Sequence, residues 1–146
     1  MTWKVKFTGG SYAAAARSAS EAAAKATAAD LNARFQDAIG AQVWAWPNKT
    51  VRSNGREVGS PRNIVDSGLL RASNKLEING LTVRFRWTQA YATAVHEGAR
   101  LQNGGLYPAR PWTSAVIGTT PVPGIPVFDY RKRFRETWLN HFRSRA

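Results

Sequence analysis

The sequence contains no cysteine and only two histidines among its 146 residues. The lack of cysteine excludes disulfides and thiolate metal sites, and two histidines give little basis for a histidine-built site. No apolar run approaches the ~20 residues of a membrane-spanning helix. The first ten residues, MTWKVKFTGG, include no apolar core of signal-peptide length, so we expect a protein made and used without secretion.

Acidic residues are also scarce, since nine Asp and Glu stand against 21 Lys and Arg, for a net charge of +12. Such a surface favours polyanions or acidic protein partners, and charge alone does not choose between nucleic acid and an assembly with acidic neighbours. No pair of acids has the spacing typical of metal or acid–base catalysis, so we expect neither enzymatic activity nor a cofactor. The acids are Glu21, Asp30, Asp37, Glu57, Asp66, Glu77, Glu97, Asp129 and Glu136.

The composition is that of one folded domain spanning residues 1–146. A chain of this length buries roughly 70% of its unfolded surface. The hydrophobic fraction of 43% and the aromatic fraction of 11% indicate a packed core.

A hairpin signal occupies the middle of the chain. Apolar residues alternate with polar ones from Leu76 to Ile78 and again from Leu81 to Trp87. Asn79-Gly80 lies between them and predicts a type I′ turn, because both turn residues then need positive φ. This turn would place Ile78 opposite Leu81.

The N-terminal part predicts a short strand and then a long helix. Trp3, Val5 and Phe7 alternate with polar residues, and Gly9-Gly10 predicts a turn. Ser11 is a candidate N-cap for an alanine-rich helix from Tyr12 to Ile39, with Gly40 at its C′ position. The helix packs either on its own sheet or partly on a neighbouring copy.

The next segment is basic and rich in turn-forming residues. Residues 42–46 (QVWAW) alternate weakly and favour a strand, and residues 47–61 predict a long loop. Arg52, Arg56 and Arg62 make this region either a solvated loop or a docking arm for a partner.

Short elements flank the hairpin on both sides. Asp66 or Ser67 is a candidate cap for a turn anchored by Leu69 and Leu70. Residues 89–96 predict a short helix ended by Gly98. His96-Glu97 begins like an HExxH zinc motif but lacks the second histidine, so a structural or interface role is favoured.

A proline-containing region connects these elements to the last helix. Residues 99–107 predict a loop, and Trp112 is expected to anchor residues 108–112 to the core. Residues 113–118 favour a short helix or an extended run. Residues 119–127 contain three prolines and predict an extended segment.

The C-terminal sequence predicts an amphipathic helix capped by Asp129. Tyr130, Phe134, Trp138 and Phe142 recur every four residues, so this aromatic stripe is expected to face the core. Basic residues surround the stripe as a solvated face or a binding face. They are Arg131, Lys132, Arg133, Arg135, Arg143 and Arg145.

Five motifs in this order resemble the tail-completion family of long-tailed bacteriophages, neck proteins related to the minor tail proteins of lambda-like phages. Family members show a long N-terminal helix, a D-T/S-G-x-L-R-x-S segment, a β-hairpin, a Y-A-x-x-V-(H/E)-x-G helix, and an A-R-P-(F/W) segment before a last helix. The corresponding segments here are Ala13–Ile39, Asp66–Ser73, Leu76–Trp87, Tyr91–Gly98 and Ala109–Trp112.

The resemblance implies an α+β fold, in which a long N-terminal helix and a C-terminal amphipathic helix pack on an antiparallel β-sheet. It also implies a ring, expected to contain six copies, between the head connector or stopper and the tail tube protein. Genomic DNA would pass through the channel without sequence-specific binding, and no membrane partner is implied. The candidate partner-binding residues are Arg52, Arg56, Arg62, Arg110, Arg131, Lys132, Arg133 and Arg135.

We expect most arginines of Arg52–Arg62 and of Arg131–Arg145 to face protein partners or the outer surface, because phosphates would adhere to a basic channel wall during ejection. The competing hypothesis is a nucleic-acid-binding protein that uses the C-terminal helix as its basic face.

Overall fold

The computed structural model describes residues 1–7 and 14–144, and it has the expected α+β fold. Its strands are β1 (Thr2–Lys6), β2 (Thr50–Val51), β3 (Glu57–Val58), β4 (Asn74–Asn79), β5 (Thr82–Trp87), β6 (Ala99–Arg100) and β7 (Leu106–Tyr107). Its helices are α1 (Ala14–Gly40), α2 (Leu69–Ala72), α3 (Ala92–Glu97), α4 (Trp112–Ile117) and α5 (Tyr130–Arg143).

The main sheet is antiparallel, with the strand order β1-β5-β4. Val83, Phe85 and Trp87 of the central strand are buried, whereas Arg84 and Arg86 between them are exposed. The alternation predicted for this strand is therefore confirmed, because successive side chains of a strand point to opposite faces.

The predicted hairpin turn is wrong by one residue. Asn79 pairs with Thr82, so the two-residue loop is Gly80-Leu81, and Ile78 lies opposite Val83 instead of Leu81. Gly80 has φ +59°, and every residue with positive φ in the described ranges is a glycine, so Leu81 has negative φ. A positive φ at the first central position alone is the pattern of a type II′ turn, which Gly80 satisfies while Asn79 keeps strand geometry.

Helix α1 is long because its sequence from residue 14 onward is alanine-rich and lacks glycine and proline until its end. Gly40 forms the last residue of the helix and not the C′ residue beyond it, which corrects the predicted end. Three predictions lie outside the described residues: the turn Gly9-Gly10, the cap Ser11 and the first helical residue Tyr12. Three large apolar residues of α1 are fully buried at four-residue spacing: Leu31, Phe35 and Ile39.

Helix α5 packs along α1 within the same chain. Trp138 Nε1 donates a hydrogen bond to Ser20 Oγ at 3.0 Å, and Arg133 Nε lies 2.6 Å from Asp30 Oδ2. Small buried residues of α1 allow this close approach. Asp129 caps α5 as predicted, since its Oδ1 accepts from Lys132 N at 3.0 Å.

The aromatic stripe of α5 is only partly buried, so the expectation of a core stripe needs correction. None of the α5 residues falls in the buried class. Phe134 stacks on Phe7 with ring centroids 4.6 Å apart, and Trp138 stacks on Phe142 at 4.9 Å. The stripe therefore covers one edge of the core and is not enclosed by it.

The core lies between the sheet, α1 and α4. Phe35 packs edge-on against Phe85 at 5.2 Å, and Trp87 against Trp112 at 5.3 Å. Trp112 is fully buried, which confirms its predicted anchoring role. Residues 112–117 form a helix with Gly118 as its C-cap. Of the helix and the extended run that were predicted for residues 113–118, the helix is confirmed.

Two predicted loops contain small hairpins. Residues 42–46 do not form a strand; only Trp44 makes a bridge, with Arg62. Residues 47–61 include the β2–β3 pair, and residues 99–107 include the β6–β7 pair. Within the described part of the chain, none of the helices combines the length and the apolar character needed to cross a bilayer.

Candidate functional site

A cleft of about 410 Å³ lies where four distant segments of the described chain meet. One wall comes from Trp46 and residues 50–52, and a second from residues 62–71. The third is formed by Tyr91 and Val95 together with Tyr107 and Arg110. Its floor contains the buried residues Ile64 and Leu70 as well as Val95. The cleft thus brings together segments that are widely separated in the sequence.

The second wall is positioned by local polar contacts. Asp66 Oδ1 accepts hydrogen bonds from Ser53 N at 2.9 Å and from Ser53 Oγ at 3.1 Å, which ties the β2–β3 loop to the start of α2. Neither Asp66 nor Ser67 is the N-cap of α2; that position is Gly68, with φ +84°. Ser67 Oγ accepts only a long contact from Leu69 N, at 3.4 Å.

Arg62 is buried by its own loop, with 5% of its surface exposed. Its backbone pairs in both directions with Trp44, whose indole is in the core. Its guanidinium group donates to the carbonyl oxygens of residues 48, 58 and 59 and to the Thr50 hydroxyl. The sequence predicted a partner-binding residue here, but the structure places this side chain as an internal support of the β2–β3 hairpin.

Arg110 is also buried, with 6% of its surface exposed, and it contacts aromatic rings. Its guanidinium carbon lies 4.6 Å from the ring centroid of Trp46 and 5.1 Å from that of Tyr107. Nη2 donates to the Tyr107 hydroxyl at 2.5 Å, whereas Nε has no hydrogen-bond partner. Cation–π contacts of this kind stabilise a guanidinium but do not satisfy its N–H donors.

The main chain fixes the position of Arg110. Its backbone N donates to Val95 O at 3.0 Å, which docks the segment after β7 on α3. Gly98, just after α3, has φ +80° and lies against the backbone of Tyr107 and Ala109. This close approach requires a glycine, because a side chain would collide with main-chain atoms that have little freedom to move.

The electrostatic environment of the cleft opposes further positive charge. Burial lowers the pKa of Arg110, and the neighbouring Arg62 and Arg52 lower it further, against a raising effect of Tyr107. Burial likewise lowers the pKa of Arg62. Four arginines and one aspartate line the cleft: Arg52, Arg62, Arg71, Arg110 and Asp66.

The structure divides the eight predicted partner-binding residues between two places. Arg52, Arg62 and Arg110 line the cleft, and Arg56 lies in an adjoining hollow of about 280 Å³. The other four are on α5, which contributes no described residue to the cleft. They are Arg131, Lys132, Arg133 and Arg135.

The four basic residues of α5 have different surroundings. Arg133 pairs with Asp30, and Lys132 lies 4.0 Å from Glu136 across one helical turn. Arg131 lies 5.5 Å from the ring centroid of Tyr130. Arg135 is exposed and forms no salt bridge with a described residue. The face is therefore basic but partly neutralised by the chain's own acids.

The sequence analysis missed Trp46 and Tyr107, which form the aromatic wall of the cleft with ring centroids 4.9 Å apart. A signal for Trp46 was present, since the weak alternation of residues 42–46 places it on the same side of an extended chain as Trp44. Tyr107 lies three residues before Arg110, but nothing in the sequence alone shows that the two side chains meet.

His96 lies outside the cleft and has structural contacts. Its Nε2 is 2.7 Å from Thr113 Oγ1, and its ring meets Trp112 edge-on at 4.7 Å. Burial lowers its pKa, against a raising effect of Glu97. Among residues 1–7 and 14–144, no group of three acidic or histidine side chains is placed to hold a metal ion.

Comparison with protein-family models, with curated proteins and with solved structures finds no match to this chain.

Proposed function

We propose that this chain is a structural protein of the phage neck, one subunit of a ring that completes the head-proximal end of the tail tube and joins it to the head connector. The observation that carries the proposal is the convergence of three motifs on one cleft. Asp66–Gly68, Tyr91 and Arg110 belong to separate segments of the resemblance, and all of them line the same surface. A shared surface is a physical reason for these motifs to occur together.

The surface around the cleft has the apolar character of a protein contact. Val51 is 71% exposed, Leu69 55% and Tyr91 44%, and all three line the cleft. Leu106, which directly precedes the lining residue Tyr107, is 70% exposed. Exposed apolar patches with polar surroundings favour binding to other proteins.

Seven of the nine acids make contacts within the chain, which supports a role without chemistry. Five of them pair with Lys or Arg, Asp129 caps α5, and Asp66 holds the β2–β3 loop. The paired acids are Glu21, Asp30, Glu57, Glu77 and Glu136.

The test removes the coding sequence from the genome that carries it and examines the resulting particles by electron microscopy. We expect filled heads and finished tails that are not joined, and we expect joining to return when the chain is supplied in trans. Normally joined particles in its absence would overturn the proposal, and so would a genome that encodes no tailed particle.

One observation favours the second candidate, a nucleic-acid-binding protein. Arg131, Arg135 and Arg143 of α5 are exposed and form no salt bridge with a described residue. The aromatic residues needed for base stacking are, however, engaged within the chain: Trp138 bonds to α1 and stacks on Phe142. A stacking platform requires free ring faces, so the α5 geometry favours this function less.

A further inference from the structure

Two buried cations of the cleft lack a carboxylate partner. Arg62 and Arg110 are 5% and 6% exposed, and neither forms a salt bridge with any acid in the described part of the chain. Burying a charge is unfavourable unless it is paired and hydrogen-bonded. The isolated chain therefore carries an uncompensated positive charge at this position.

The two arginines differ in how far their donors are satisfied. The Arg62 guanidinium donates to three carbonyl oxygens and one hydroxyl, which solvate it internally. With the residues that the structure describes, Arg110 makes a single side-chain hydrogen bond, to the Tyr107 hydroxyl, and its buried Nε has no partner among them. A guanidinium has five N–H donors, so Arg110 retains unused donor capacity next to an open cleft.

The cleft itself provides no anion for Arg110. Among the described residues that line it, only Asp66 is acidic, and its carboxylate already accepts two hydrogen bonds from Ser53. The remaining ionised side chains of the lining are all arginines. An anion from outside the chain would therefore be attracted by several positive charges and opposed by one carboxylate.

The lining also indicates which kind of anion fits. Exposed Val51, Leu69 and Tyr91 lie around the cleft together with the exposed Arg71. Apolar side chains beside the cations favour a protein segment, because interfaces with nucleic acid are more polar. A guanidinium held in a fixed plane matches the paired oxygens of a carboxylate or a phosphate, so the apolar neighbours are what favour the carboxylate of a protein. The net charge of +12 disfavours a second copy of this chain as the source of that carboxylate.

We propose that the cleft is a docking site for an acidic segment of a different protein, in which a Glu or Asp side chain binds Arg110 while neighbouring apolar residues contact Val51, Leu69 and Tyr91. The inference deepens the proposed function and rests on it for the identity of the partner as a neighbouring virion protein. Burial and, to a smaller extent, Arg62 and Arg52 lower the pKa of Arg110. This agrees with the inference, since a bound carboxylate would offset both effects.

The experiment titrates the ¹⁵N-labelled full chain at low salt with the peptide Ac-Leu-Glu-Leu-NH2, and in parallel with Ac-Leu-Gln-Leu-NH2. The signals followed are the Nε–H of Arg110 and the backbone amides of Gly68 and Tyr91. We expect saturating shifts at these positions with the Glu peptide and at least about tenfold weaker binding of the Gln peptide, because hydrogen bonds to charged groups are stronger than neutral ones by about that factor.

Two variants locate the effect. Arg110→Gln should remove the difference between the peptides, whereas Lys75→Gln, which removes an exposed charge of β4 outside the cleft, should leave it unchanged. If Arg110→Gln does not fold, Arg52→Gln serves in its place; Arg52 lines the cleft with a single side-chain hydrogen bond, to Asn63 O, and its loss should weaken binding of the Glu peptide severalfold.

Several results would overturn the inference. Equal binding of the two peptides, absence of shifts in the cleft, or shifts confined to α5 would each do so. Inorganic phosphate or an oligothymidylate that shifts the cleft signals at lower concentration than the Glu peptide would assign the site to phosphate instead. These outcomes concern the cleft alone, while normally joined particles without the gene would refute the neck function alone.

Discussion

Replacing Gly98 by alanine tests how the cleft is held together. Gly98 has φ +80° and ψ 169°, a backbone conformation that is essentially restricted to glycine. A Cβ at this position would lie 2.8 Å from Tyr107 O and 3.0 Å from Ala109 N. Both contacts are with backbone atoms, so rotation of a side chain cannot relieve them.

The expected loss of stability follows from two contributions. Forcing a non-glycine residue into this region costs about 1–3 kcal/mol. Overpacking against a fixed neighbour typically costs about 1–3 kcal/mol more. The sum, about 2–6 kcal/mol, is a large part of the roughly 5–15 kcal/mol that holds a typical domain folded.

Gly104→Ala is the matched control. Gly104 has φ +83°, but nothing lies within 4 Å of the position that its Cβ would take. Its substitution should cost only the backbone strain, about 1–2 kcal/mol. Urea unfolding of the three proteins gives the free energies of unfolding. The excess loss in Gly98→Ala reports the collision with residues 107–109 together with the stricter backbone conformation of Gly98.

The cleft provides a second measurement on the same variants. Displacement of residues 107–109 by Gly98→Ala should shift the NMR signals of Tyr107 and Arg110, and Gly104→Ala should leave them in place. A Gly98→Ala protein that loses no more stability than Gly104→Ala would refute the argument that this glycine sets the position of Arg110.

Three further predictions concern single interactions. Burial lowers the pKa of His96 in the folded state, so the unfolded chain binds the extra proton and stability should fall as the pH drops below about 6.5. His96→Asn should therefore reduce the change in the free energy of unfolding, measured with urea, between about pH 7.5 and 5.5. The same pH dependence in the variant and the parent would contradict this. Asp30→Asn removes a half-exposed pair with Arg133, so the loss of stability should stay below about 1 kcal/mol and shrink at high salt; a larger, salt-independent loss would contradict it. Asp66→Ala should speed hydrogen exchange of the Ser53 amide, because that amide loses its acceptor. The global free energy of unfolding should change little; a large loss would mean that the variant is misfolded and that the faster exchange is not local.

The sequence predicted the regular elements well, because they follow from local patterns. The alternation of residues 82–87, the alanine-rich run of α1 and the Asp129 cap each act over a few residues and leave a direct trace in the sequence. The hairpin turn was wrong by one residue because Gly80 can serve in either of two neighbouring turns, and the pairing of Asn79 with Thr82 decides between them.

The cleft was harder to predict because it depends on contacts between distant segments. Arg62, in a basic loop, and Arg110, in a segment of the resemblance, were both predicted to bind a partner, and the structure shows that both are buried. Burial of Arg62 depends on the Trp44 bridge, and that of Arg110 on Trp46 and Tyr107. A basic residue leaves no sign in the sequence of whether its guanidinium is solvated by water or by carbonyl oxygens and aromatic rings.

The central claim, that the chain works by docking to proteins in a ring and not by binding DNA, is tested most directly by its mass in solution. Sedimentation equilibrium at low and high salt, with and without duplex DNA, gives that mass. We expect a ring whose mass persists at high salt and is unaffected by the duplex. A monomer that binds the duplex tightly, with an affinity that falls steeply as salt rises, would contradict the claim and favour the nucleic-acid function.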